Sequence, residues 1–136
     1  MKKMHFKLFN EAGMHLNGRL TYTAAATIVR GDILKFSEGK VTPCTGDTDA
    51  AIGVALDGAA QGEIVTVAVL GSFAGTVVVK AGGAITQGAA VNAVGEAAEV
   101  GDIVVGRALE AASASGDLIE VAHTVAGYLI DVDTNT

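Results

Sequence analysis

The side chains with chemical capacity are few and scattered. Three histidines, His5, His15 and His123, stand far apart, with no cysteine or carboxylate at ligand spacing around them. A zinc centre needs three or four convergent ligands, and this pattern does not supply them. Cys44 is the single cysteine. It could act as a nucleophile only with a histidine folded against it, and otherwise reads as a small apolar residue in a loop. Asp47 with Asp49, and Asp131 with Asp133, begin like a calcium loop but lack the following glycine and the closing glutamate, which leaves solvated loop and tail carboxylates. The glycine-rich stretches 31–40 and 82–88 lack the Walker spacing with its trailing Ser or Thr, so they read as turns. No acid, base and nucleophile assemble. The residues imply no metal and no cofactor, and they point to a structural or binding role over an enzyme.

The elements that would carry any site are short strands in a duplicated order. Residues 51–57, AIGVALD, are echoed by residues 104–110, VVGRALE. The echo continues from 58–65 into 111–119 with one extra residue, and upstream Gly31 and Gly39 find counterparts in Gly88 and Gly95. A period of roughly 53 to 57 residues exceeds that of a solenoid repeat, so the pattern predicts an internal duplication inside one small domain. The strongest strands are predicted at 63–70, where Ile64, Val65, Val67 and Val69 stand out, and at 73–80 after a tight link at Gly71. Residues 33–36 and Val41 read as a hairpin with Gly39 supplying a positive φ. A second hairpin is expected around Gly95, from 90–94 and 97–100, followed by strands at 103–109 and 118–122. The alanine run 111–114 could close one helical turn. Tyr128, Ile130 and Val132 alternate in the tail. About ten short strands with glycine turns indicate an all-β barrel or sandwich built from duplicated hairpin units.

Composition bounds the rest. A chain of 136 residues fits one domain, and one near this size buries ~68% of the surface its unfolded form exposes. Aromatic residues make up 4% and there are 18 glycines, so the core must be thin and filled by Val, Ile, Leu and Ala. The net charge of −6 argues against direct binding of nucleic acid, which needs clustered Lys and Arg. The charge is uneven, because residues 1–40 hold Lys2, Lys3, Lys7, Arg19, Arg30, Lys35 and Lys40 against three acids. Residues 1–27 are therefore read as an extended N-terminal arm with the first strands, and 28–136 as a single β-rich domain. In the arm Phe6 and Leu8 alternate with polar residues, and Lys2, Lys3, Phe6, Lys7, Leu8 and Phe9 are the residues expected to dock it onto a partner. His5, Lys7, Asn10 and Glu11 interrupt the ~7 to 15 apolar residues that a signal peptide requires, and uncharged runs fall short of the ~18 to 20 of a membrane span. The expectation is a soluble protein made in cytoplasm, with no membrane contact.

Two resemblances follow. Residues 84–91 faintly resemble biotinyl and lipoyl carrier barrels, but neither Lys40 nor Lys80 has the flanks of a modified hairpin lysine. The combination of Gly71, Ser72 and Phe73, then 84–91, a glycine turn, 105–112 and Gly116 resembles the phage capsid cement, or head decoration, proteins over about residues 28–123. That resemblance implies a virion protein on the outside of the expanded icosahedral head, bound to the major capsid protein, commonly as homotrimers at threefold and quasi-threefold positions, reinforcing the shell against internal DNA pressure. The alternative is a non-catalytic ligand- or carbohydrate-binding β module of a larger assembly. Scarce aromatics speak against sugar stacking.

Overall fold

A computed structural model of the chain describes residues 17–129. Among them there is no helix, and nine strands form two antiparallel sheets. The strands are β1 (Arg19–Thr23), β2 (Ile33–Ser37), β3 (Lys40–Pro43), β4 (Gly53–Ala55), β5 (Ile64–Val69), β6 (Val77–Lys80), β7 (Ala90–Asn92), β8 (Ile103–Ala108) and β9 (Leu118–Tyr128). The first sheet runs β1-β5-β4-β2-β3 and the second β6-β9-β8-β7. The same order recurs because the two sheets are the two copies of the duplicated sequence. Equivalent backbone bonds recur with it. Ile28 and Ala59 exchange a pair of bonds at 2.8 and 2.9 Å, as do Ile85 and Ala112 at 2.9 Å each. The Gly31 N–H donates to the Ala55 carbonyl, and the Gly88 N–H to that of Ala108.

The turns follow from glycine. In the β2–β3 hairpin Glu38 has φ 52° and Gly39 φ 82°, the double positive φ of a two-residue turn that matches strand twist. The matching turn at Gly95, φ 80°, closes a shorter hairpin. There residues 97–100 give only the Val91–Ala97 bridge, not the expected strand. Instead Asn92, almost fully buried, accepts from the Val94 and Glu96 N–H groups and donates to Asp102 at 2.9 Å. These side-chain bonds supplement two backbone bonds, from the Asn92 N–H to the Glu96 carbonyl and from the Ala98 N–H to the Ala90 carbonyl.

Three other expectations change. The strand foreseen at 73–80 begins only at Val77, because Gly71 (φ 84°) and Gly75 (φ 106°) fold 71–76 into a turn. The run 111–114 forms no helical turn, since Ala112 bridges Ile85 while the Ser113 and Ala114 N–H groups donate to Asp117. The barrel alternative gives way to a sandwich. The first sheet curls until its edges touch at the Ala24–Val41 bridge, without closing further. Of the alternating tail, Tyr128 ends β9, and Ile130 and Val132 lie outside the described residues.

Each unit has its own small apolar core. Leu34, Val65 and Val67 fill the first and Val91, Ile119 and Val121 the second, in equivalent places. The back of the first unit, with Ile33, Val54 and Ala68, joins the core of the second. The units are also tied by the Lys80 N–H on the Gly31 carbonyl (2.9 Å), by the Ile103 N–H on the Asp47 carbonyl (2.8 Å) and by a Lys80–Asp32 ion pair (3.2 Å).

Candidate docking surface

The reactive groups singled out in the sequence are occupied in holding the fold. Cys44 follows β3, half-buried against the main core. Burial pushes its thiol up to about 12, with the Asp49 carboxylate acting in the same direction and Lys35 opposing it. A thiol kept protonated at neutral pH is a poor nucleophile. Asp49 is more than a solvated loop carboxylate: it accepts from the Thr45 and Gly46 N–H groups and pairs with Lys35 at 3.0 Å. Those bonds hold it below the usual carboxylate range. Asp102 is lowered by Asn92 and the Glu99 N–H, and Asp117 by the Ser113 N–H and hydroxyl and the Ala114 N–H.

His123 is a latch. The Gly71 N–H donates to its Nδ1 at 2.9 Å, so the proton sits on Nε2, which faces the carbonyls of Phe73 (3.1 Å) and Gly75 (2.8 Å). Both ring nitrogens are spent on the 71–76 turn. Phe73 lies half-buried in that turn, packed on the core, with the His123 ring 6.1 Å away and the Arg19 guanidinium 5.9 Å from its ring centre. It therefore lies between Arg19 of the first unit and His123 of the second and is not an interior strand residue. Among the described residues no three His, Cys, Asp or Glu side chains stand close enough to share a metal. His5, His15, Asp131 and Asp133 lie outside the described residues, and so do Lys2, Lys3, Phe6, Lys7, Leu8 and Phe9.

What the fold does offer is an apolar strip with a single charged residue, on a chain of net negative charge. Between the pairs Val104–Gly127 and Gly106–His123, β8 advances two residues while β9 advances four. The surplus is a bulge that turns Val125 outward, 70% exposed; bulges commonly re-aim a side chain at a working edge. Val125 borders two grooves. One, about 310 Å³, is the open mouth of the first unit, lined by Leu20, Tyr22, Phe36, Ile52 and Val69, with Tyr22 and Phe36 edge-to-face at 5.3 Å. The other, about 430 Å³, runs over β8 and β9 past Val104, Thr124 and Tyr128, which is 68% exposed. Their one charged residue is Arg107, tied to the Gly88 carbonyl at 2.9 Å. Exposed apolar surface gathered in this way marks an interaction site rather than scattered surface residues. Sequence reasoning missed it, because the second β9 half was read only as far as Ala122. The signal available was that 124–128, TVAGY, continues the apolar pattern with no charge.

The sequence model of a family described as phage cement protein matches residues 14–123. No curated protein matches the chain. Among solved structures, the head fiber gp8.5 N base of bacteriophage phi29 is similar at 19% sequence identity and TM-score 0.60, over 83% of this chain and 98% of that one. At that identity the likeness concerns the fold alone.

Proposed function

The chain belongs to the phage cement protein family, and on that premise we propose that it is a non-catalytic component of the virion that binds the outer surface of the expanded head. In this reading it sits as a homotrimer at threefold and quasi-threefold positions, contacts the major capsid protein and helps the shell resist internal DNA pressure. The observation that carries the reading, beside the family match, is the apolar strip around Val125 and Tyr128, with no acidic residue in its lining, on a chain of net negative charge. Acidic chains repel one another and packaged DNA, so a contact between copies or with a shell is best made through a face without charge. The basic N-terminal segment, with Lys2, Lys3, Phe6, Lys7, Leu8 and Phe9, is the proposed capsid arm, its alternating apolar residues suited to adding a strand to an exposed edge. Weak contacts suffice, because each trimer would hold several sites at high effective concentration.

The test is co-sedimentation of the purified protein with expanded, undecorated capsids from the same genome, counting bound copies per capsid subunit. Saturation at a fixed ratio near one supports a cement protein at threefold sites. Absence of binding at micromolar concentration would favour the ligand-binding module instead.

A further inference from the structure

The contact between the two units is one-sided. The back of the first, with Ile33, Val54, Ala68 and Leu70, is buried against the mouth of the second, with Val77, Val79, Ala93 and Val105. Register fixes the counterpart of each residue in the other unit. Ile33 pairs with Val54 and Val54 with Ala68, as Ala90 pairs with Arg107 and Arg107 with Ala122. Leu20 pairs with Val67 and Tyr22 with Val65, as Val77 pairs with Val121 and Val79 with Ile119. At these offsets the back of the second unit is Ala90, Arg107, Ala122 and Thr124, which line the groove over β8 and β9. The mouth of the first is Leu20, Tyr22, Phe36 and Ile52, which line the other groove. The two grooves are the unused halves of an interface that the chain already makes once within itself.

The free halves also match in size. Inside the chain, Ile33 and Leu70 on the back meet the smaller Val79 and Ala93 in the mouth. The free halves reverse this, with Ala90 and Thr124 on the back and Tyr22 and Phe36 in the mouth. Val54 is replaced by Arg107, whose guanidinium suits the Tyr22–Phe36 pair, because a cation is drawn to an aromatic face. The relation between the units says how further copies would be arranged. The Lys80 N–H donates to the Gly31 carbonyl, but among the described residues their counterparts, Thr23 and Gly88, make no such bond, so the relation is not the reciprocal one of a two-fold axis. Counterparts do meet elsewhere. The Asn17 carbonyl accepts from Ala74, its counterpart, at 3.0 Å, and the Cβ position of Gly71 lies 3.0 Å from the nitrogen of Val125, its counterpart. Counterparts that touch lie beside the rotation axis with little shift along it. Repeating a one-sided contact about such an axis runs round a ring and does not climb into a filament.

We infer that copies of this chain dock head to tail, the back of the second unit of one copy seated in the mouth of the first unit of the next. The occupant of both grooves is a second copy, and the contact between copies repeats the contact between units. The inference rests on the proposed function only for the number of copies, three chains making a ring of six units.

Phe36→Glu spoils the mouth and Ala122→Glu the back. Both side chains are exposed, and circular dichroism and melting temperature verify that each variant folds; Phe36→Ser and Thr124→Glu repeat the pair with other changes. In sedimentation the full-length wild type should form one closed species that does not grow at higher concentration. Each variant alone should run as a single chain, because every contact then lacks one half. An equimolar mixture should give a 1:1 dimer and nothing larger, since it holds one intact back for one intact mouth. Arg107→Ala should weaken association roughly 2- to 30-fold. A wild type that stays single at every attainable concentration, an assembly that both variants still form, or variants that do not pair when mixed would overturn the inference. Capsid binding by a chain that stays single would remove this inference and leave the cement reading standing. A ring that forms but does not bind capsids would uphold the inference and remove the cement reading.

Discussion

Gly53 and Gly106 hold the same place in the two units and for the same reason. A Cβ on Gly53 would stand 2.7 Å from the Ala68 carbonyl oxygen, and one on Gly106 would run into the carbonyl oxygen of Ala122, the equivalent residue. Neither glycine has positive φ. The requirement is therefore steric: the strand pairs β4–β5 and β8–β9 approach too closely for a side chain, which glycine in a strand often marks.

Gly106→Ala should destabilise by about 1 to 3 kcal/mol, the cost of forcing extra volume into a packed site. Gly127→Ala in the partner strand β9 is the control, because nothing lies within 4 Å of its Cβ position and its φ is ordinary. It should be neutral, or stabilising by about 0.4 to 1 kcal/mol through the unfolded chain. Urea denaturation of both variants reads the difference directly; equal effects would remove the steric account.

The 71–76 turn should behave as one unit. Phe73→Ala is expected to cost roughly half of the ~3 to 5 kcal/mol lost by a fully buried Phe, since Phe73 is half-buried. His123→Ala leaves the Gly71 N–H without its acceptor, at about 1 kcal/mol. The double variant should lose less than the sum, because either change frees the same turn. A double-mutant cycle by thermal melting checks this.

Cys44 should resist a thiol reagent at pH 8 in the native protein and react at once in urea, as expected of a thiol raised to about 12 by burial. Cys44→Ser should change melting temperature and leave capsid binding intact. Fast native labelling would place the side chain in a different environment.

Acid should weaken the fold through Asp49, Asp102 and Asp117, all held below the usual carboxylate range by hydrogen bonds. A lowered folded-state value means that the stability they provide is complete above the unfolded value of about 3.9 and is lost as pH falls through the folded values. Melting temperature should be level from neutral pH down to about 5 and fall below it, and Asp102→Asn should make that fall shallower.

Removing residues 1–9 should abolish capsid binding while the body keeps its melting temperature, measured by co-sedimentation and calorimetry. Retained binding by the truncated chain would move the contact onto the Val125 strip.

Much of this architecture was legible in the sequence because duplication leaves paired marks. Gly31 with Gly88, Gly39 with Gly95, and the AIGVALD and VVGRALE echo all map onto equivalent turns and strands. The failures have physical causes. Phe73 does not open the strand expected at 73–80, because the positive φ of Gly71 and Gly75 on either side takes it out of the ladder. Residues 97–100 looked like a strand by composition, yet Asn92 and Asp102 satisfy the local backbone instead. The Val125 strip was hidden because a bulge changes which side chain points outward, and alternation alone does not register an inserted pair of residues.

Every strand of the first sheet finds its ladder partner between residues 19 and 69. As the chain leaves the ribosome, that unit can complete its hydrogen bonding before the second has been synthesised. Its back, with Ile33, Val54 and Ala68, belongs to the core shared with the second unit, and until those later strands arrive it is bare. Translation pauses near residue 70 would prolong that interval and favour aggregation, whereas rapid passage through 77–121 would cover the exposed face.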